Sequence, residues 1–199
     1  MGLGVAISGL GFEFLNFEFD LIGPEDQQRL LALARRALEA RIRRQSPPRA
    51  ERGGALDWTR GAFVTIHCHG NLRGCLGHIE TEVPLADTVA QLAASVSDSD
   101  PRFGAVLASE LDGIDLEISV LTPEHEIHSI ADIDIGRHGL IVEQGSRRGL
   151  LLPQVATEHA WDALTFASHA CLKGALPADA WREGARMLVF EAQVFGEHR

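Results

Sequence analysis

The chain is poor in the residues that usually announce a chemistry. Its 199 residues hold three cysteines, Cys68, Cys75 and Cys171, and one lysine, Lys173. An odd cysteine count with no C-x-x-C spacing supports neither a disulfide framework nor a zinc ribbon, and fits a reducing compartment. No run approaches the roughly 20 apolar residues needed to cross a bilayer. The opening "MGLGVAISGLGFEF" has no basic region, and Glu13 interrupts its apolar stretch, so a secretory signal is not expected. Ala6 stands where a myristoylation signal needs a hydroxyl residue. No nucleophile elbow, phosphate loop or dinucleotide fingerprint is present, since the glycines of residues 2–11 follow no strand. A formal charge of −10 disfavours general nucleic-acid binding, which gains affinity by releasing counterions to a basic face. The expectation is a cytoplasmic protein with no nucleic-acid or membrane partner.

What is present describes an ordinary folded chain. Hydrophobic residues make up 45% and charged residues 23%, which is globular composition. The length favours one domain with a smaller lobe over two full domains. The arginine-rich stretch from Arg29 to Arg60 lacks interleaved aromatics and reads as a solvated helix face and loop.

Periodicity predicts the elements. Residues 12–19, "FEFLNFEF", alternate as a strand with one slip, and serve equally to seal the chain's own sheet or to form a homodimer. Pro24 and the acids Glu25 and Asp26 open a helix of about twenty residues, with Leu30, Leu33, Ala34, Ala37, Leu38 and Ile42 on one stripe. Residues 45–57 form a loop. "GAFVTIHC" is a strand, and Gly70-Asn71 reads as a two-residue hairpin turn. That turn sets Ile66 opposite Cys75 and places Cys75 on one face with Cys68 and Arg73. A second helix carries Leu85, Val89, Leu92 and Val96, and "DGIDLEISVL" alternates with Ile114, Leu116, Ile118 and Val120 inward. A hairpin turning through Gly145 to Gly149 is stopped by Pro153. A helix follows from Thr157 to Gly174 with Trp161, Leu164, Ala167 and Cys171 on one face. "MLVFEAQVF" is a closing strand. Hairpin-linked strands separated by helices give α+β with a mainly antiparallel sheet.

Three sets of residues are candidates for chemistry. Arg73 and the freed amides beside Gly74 and Gly77 would activate a thiol at Cys75, whereas the bland reading makes Cys75 a small buried hydrophobe in a glycine bulge. His67, His69 and His78 form a metal alternative, set against three solvated histidines. The third set is carboxylates, Glu117 and Asp115 on one strand face and Asp98 and Asp100 in "SVSDSDPRF", of which Glu117, mid-strand on the face opposite the core, is preferred. If that face is buried it needs a partner such as Arg73 or Arg102, and otherwise the face is wet.

Leu72-Arg73-Gly74-Cys75-Leu76-Gly77 resembles the LRGCIG signature of the AMMECR1 family, with Leu76 where isoleucine is usual. Residues 61–65, Asp100-Pro101-Arg102-Phe103, residues 116–121, Ile135-Gly136-Arg137-His138-Gly139-Leu140 and residues 152–155 match in order. The resemblance assigns residues 23–199 to an AMMECR1 domain and leaves 1–22 as an N-terminal strand extension. It implies an α+β fold, a mainly antiparallel sheet with flanking helices, in two unequal lobes. It also implies membership of the AmmeMemoRadiSam system, named for genes beside those of a Memo-like protein and a radical S-adenosylmethionine enzyme, and hence a shared modification pathway. The signature implies a working Cys75, and in the enzyme reading Cys75 is nucleophile or covalent carrier, Arg73 and Arg102 bind an anionic group, and Glu117 is base or arginine orienter. Leu72, Arg73, Gly74, Gly77, His78 and Arg102 would bind substrate, with no metal and no cofactor. The alternative is a non-catalytic module that docks through the same hairpin. His78 departs from the small hydroxyl residue common there, as does "RFGAV" from the usual proline-rich continuation.

Overall fold

Proline at the first helical position and two acids in the first turn begin α1 (Pro24–Ile42) in the computed structural model, which describes residues 21–197. The strand expected at residues 12–19, and nearly all of the extension assigned to residues 1–22, lie outside the described residues. Leu30, Leu33, Ala34, Ala37 and Leu38 are buried along one stripe of α1, as the spacing predicts. Beside it lies α2 (Leu85–Ser95), which buries Leu85, Val89 and Leu92. Both helices cover one face of a sheet ordered β2-β1-β3-β8, built from β1 (Ala62–Cys68), β2 (Asn71–His78), β3 (Ile114–Leu121) and β8 (Ala192–Gly196). All its pairings are antiparallel. The inward set Val64, Ile66, Leu116, Ile118 and Val120 is buried against the helices, while Thr65, His67, Cys75 and Glu117 on the other face are half-buried.

The second lobe is a sheet ordered β4-β7-β5-β6: β4 (His125–Ile127), β5 (Gly139–Gln144), β6 (Arg147–Leu151) and β7 (Arg186–Phe190). Its two central strands, β5 and β7, are buried on both faces, so they read as continuous apolar runs rather than as alternation. Leu140, Val142, Met187 and Val189 pack on α4 (Ala163–Lys173) and α3 (Pro153–Glu158). Ile141, Leu188 and Phe190 face the other way and join Leu121 and Phe63 of the first lobe. The second lobe therefore covers one end of the first sheet's helix-free face and leaves the rest open. The α+β fold with antiparallel sheets, flanking helices and two unequal lobes is the architecture the sequence predicts.

Three local expectations are corrected. The closing strand is two strands: the chain breaks at Glu191, and β7 and β8 belong to different sheets. The break is held by Thr122, whose N–H donates to the Glu191 carbonyl while its hydroxyl accepts from the Glu191 N–H. The helix expected from Thr157 to Gly174 is two helices. Pro153 starts α3, Ala160 turns the chain with φ 52°, and the Asp162 side chain caps α4 by accepting from the Thr165 N–H. Leu164 is accordingly exposed, while Ala167 and Cys171 are buried with Phe166 and Ala170. The second hairpin turns through two residues, since Gln144 pairs with Arg147, so Arg147-Arg148-Gly149 is strand rather than turn. Among the described residues no helix is long and apolar enough to cross a membrane.

Candidate functional site

The hairpin carrying the signature turns at His69-Gly70, whose φ values of 51° and 78° are both left-handed, the geometry of a type I′ turn. It does not turn at Gly70-Asn71. Cys68 pairs with Asn71 and His67 with Leu72. The register then slips by one at Arg73, so that Gly74 faces Ile66 and Cys75 faces Thr65. A one-residue slip reverses the face of every later side chain. Cys75 therefore lies on the open face with Thr65, opposite to Cys68, which packs against the helix-side core. The expected shared face of Cys75, Cys68 and Arg73 is corrected by this bulge.

Glycine at position 74 lets the edge strand lie against α2: a Cβ there would stand 3.0 Å from the Val96 side chain and 3.1 Å from its carbonyl. Glycine at 77 has a different reason. A Cβ there would fall inside the ring of Phe63, which lies across the strand on the open face beside Cys75.

β2 is the outer strand of its sheet, and the segment 97–113 wraps its free edge. Asp100-Pro101-Arg102-Phe103 is a turn with proline second; the Phe103 N–H donates to the Asp100 carbonyl at 3.1 Å. The Asp100 carboxylate, only 4% exposed, accepts from four donors. Oδ1 takes the Arg102 N–H at 3.1 Å and Nε at 3.0 Å, and Oδ2 takes Arg102 Nη2 at 2.7 Å and the Cys75 N–H at 2.9 Å. The Arg102 guanidinium above all, aided by the Cys75 and Arg102 amides, holds this carboxyl well below the usual carboxylate range in spite of its burial. Arg102 is half-exposed and within electrostatic range of the Cys75 sulfur.

Arg73 makes a separate clamp. Nε and Nη2 donate to Glu110 at 2.8 and 3.2 Å, and Nη1 and Nη2 donate to the carbonyls of Gly104 and Ala105 at 2.9 and 3.2 Å. Arg73, with the Leu107 N–H, holds the Glu110 carboxyl below its ordinary value. Both arginines suggested as partners of Glu117 are thus paired with other carboxylates.

On the open face, Cys75, Thr65 and Glu117 form one row across β2, β1 and β3. The Thr65 hydroxyl donates to Cys75 Sγ at 3.3 Å. Two strand spacings separate Cys75 from Glu117, about 10 Å between backbones. The remaining predicted site residues lie on the same hairpin: Leu72 is exposed near its tip opposite His67, and His78 is exposed at its far end opposite Ala62. His67 and His78 at opposite ends of one hairpin cannot share an ion. Among the described residues no group of three or more histidine, cysteine, aspartate or glutamate side chains is arranged to hold a metal. Thr65 and Phe63 escape sequence reasoning because the bulge decides what faces Cys75, and Glu110 because the segment that wraps the edge of β2 is placed by tertiary pairing. Asp100 had a local signal, the Asp-Pro-x-Phe turn.

Comparison with known proteins agrees with this fold. The family model described as AMMECR1 matches residues 31–195. A protein of Methanothermobacter thermautotrophicus is 43% identical over 182 residues, covering 87% of this chain and 95% of its own length. One of Methanococcoides burtonii is 46% identical over 143 residues, covering 69% and 72%. The crystal structure of the uncharacterized protein PH0010 from Pyrococcus horikoshii is similar with a TM-score of 0.74 at 35% identity, covering 89% of this chain and 94% of that one. With the family model matched over most of its length and a relative 43% identical over 87% of it, the chain belongs to the AMMECR1 family.

Proposed function

We propose that this protein is a cysteine-dependent enzyme, or the cysteine-bearing component of one, acting in a modification pathway with a Memo-like protein and a radical S-adenosylmethionine enzyme. The observation that carries the reading is Cys75 itself: the residue is half-buried on the helix-free sheet face, and its sulfur receives the Thr65 hydroxyl at 3.3 Å. The hydroxyl fixes the sulfur's position on that face, and a cysteine reacts as its thiolate. Arg102, fixed by Asp100, adds positive charge beside the sulfur and attracts an anionic group of the substrate. The reacting carbon lies over Thr65, with sulfur on one side and Glu117 on the other. The gap of about two strand spacings is too wide for Glu117 to take the thiol proton directly. Its role is to pass a proton to, or take one from, the substrate's departing or attacking group. A covalent adduct on Cys75 splits one difficult step into two. Arg73 works indirectly, by holding the segment that presents Arg102 and Asp100.

Intact-protein mass after incubation with a cell metabolite extract tests the reading. A mass increase in the wild type that is lost in Cys75→Ser is expected. The reading of a docking module draws on Leu72, 43% exposed at the hairpin tip. It gains if neither protein acquires mass and Leu72→Ser abolishes copurification with the two pathway partners.

A further inference from the structure

A cysteine has to lose its proton to react, and the groups described so far give the Cys75 proton no destination. Asp100 and Glu110, the carboxylates at the edge of β2, are taken up by Arg102 with the Cys75 N–H and by Arg73. Glu117 stands two strands away. The open face holds one further base. His67 lies two residues beyond Thr65 on the same strand and the same face, so it is the diagonal neighbour of Cys75 across β1 and β2. Diagonal neighbours in an antiparallel pair are about 7–8 Å apart, a gap that an aromatic side chain can span.

The surroundings of His67 suit a proton carrier. Asp115 lies directly opposite it on β3, and such pairs have about 4.5–5.5 Å between Cβ atoms, so a carboxylate stands beside any charge the ring acquires. The residue is half-buried, and among the described residues nothing hydrogen-bonds or ion-pairs with its ring, which leaves the ring free to meet the thiol when substrate is bound. His67 also lines a cavity of about 270 Å³, whose walls include Asp115, Glu117 and Glu197. Gly196 helps to leave this space open, because it ends the row of Cys75, Thr65 and Glu117 without a side chain. Glu197 is occupied, its carboxylate held by Arg35 and the Leu116 N–H. The cavity thus joins His67 to Glu117 of the Cys75 row.

We propose that His67 is the base of the Cys75 site: it takes the thiol proton, with Asp115 behind it, and hands that proton to the departing group of the substrate in this cavity. The proposal rests on the reading of Cys75 as a working thiol. In the step, a sulfur electron pair forms the bond to the substrate carbon. The bond to the departing group breaks with its own pair, and the thiol proton reaches that group through the imidazole, so no further reactant is needed. Glu117 is left to serve the attacking group when the adduct is released.

Alkylation with iodoacetamide isolates the first half of the step: the sulfur takes the carbon, iodide leaves with the electron pair of its bond, and the thiol proton goes to the base. Rates at Cys75 in the full chain are read by peptide mass spectrometry. His67→Ala should slow Cys75 by roughly tenfold at neutral pH, short of full general-base catalysis because iodide departs without a proton. The alanine enlarges the cavity, so added imidazole should restore the rate in a saturable manner. His67→Gln should be as slow and should not respond to imidazole. If the alanine variant does not fold, the glutamine variant decides by its rate. Labelling of Cys75 as fast in the variants as in the wild type would overturn His67 as base and leave the working thiol intact. Slow labelling of a folded alanine variant that imidazole fails to restore would do the same, since it marks a residue that only shapes the strand. A wild type in which Cys75 labels no faster than Cys68 would overturn both.

Discussion

The two faces of the first sheet are built from alternate residues of the same strands, and they do different work. On the helix-covered face Val64, Ile66, Leu116 and Ile118 are at most 1% exposed. On the other face Thr65, Cys75 and Glu117 are half-buried beside an open surface. The covered face supplies the burial that holds the strands in register, and the open face carries polar groups whose positions that register fixes. The bulge at Arg73 connects the two, because it turns Cys75 from the first face to the second.

The comparison is broken most severely from the covered side. Ile66→Ala, at a fully buried position opposite Gly74, should lower unfolding free energy by about 2–5 kcal/mol in urea denaturation. A loss under about 1 kcal/mol would mean that the register does not depend on this face.

Next comes the edge clamp. Asp100→Asn sets an amide N–H₂ against donors from Arg102 and Cys75, and should cost about 2 kcal/mol. The native carboxyl titrates lower when folded than when unfolded. Its stabilisation is therefore complete above about pH 4, the range of an unfolded aspartate, and is lost as pH falls below that toward the folded value. The wild type should lose stability steeply below about pH 4, and the variant should lose less over the same interval. Glu110, held low by Arg73, adds to the wild-type slope with the same sign. Parallel acid limbs in the two proteins would exclude Asp100 as a stabilising anion.

The smallest effect belongs to the open face. Thr65→Val keeps a β-branched residue on the strand and should change stability by less than about 0.5 kcal/mol. It removes the donor to the Cys75 sulfur, so alkylation of Cys75 at neutral pH should slow by roughly two- to fivefold, while Thr65→Ser restores it.

Much of this architecture is legible in the sequence. The 3.6-residue stripe of α1 and the alternation of β3 reach the structure unchanged, because each element buries one continuous face. What is not legible is decided by single residues whose effect is non-local. A left-handed His69 moves the turn back by one residue, and the register slips again at Arg73; the apolar pattern of "HCHGNLRGCLGH" cannot encode either. Glu191 interrupts an apolar run that local propensity would continue, because its neighbours on either side belong to different sheets. Asp162 overrides a helical stripe by offering a cap. In the site, the signature located Cys75 and the glycines. The partners that define its surroundings, Thr65, Asp100, Glu110 and Phe63, come from other segments and are set by pairing rather than by spacing.

Cys75 and Cys171 carry the same thiol in opposite settings, and their contrast is the measure of the whole account. Cys171 is fully buried on α4, where desolvation above all pushes its thiol upward. Site-resolved iodoacetamide labelling of the native chain, followed from pH 6 to pH 9, compares Cys75 directly with Cys68 and Cys171. Cys75 should label first, ahead of Cys68, with Cys171 protected until the protein unfolds. Equal labelling of Cys75 and Cys68, or protection of Cys75 to the degree of Cys171, would contradict a working thiol on the open face.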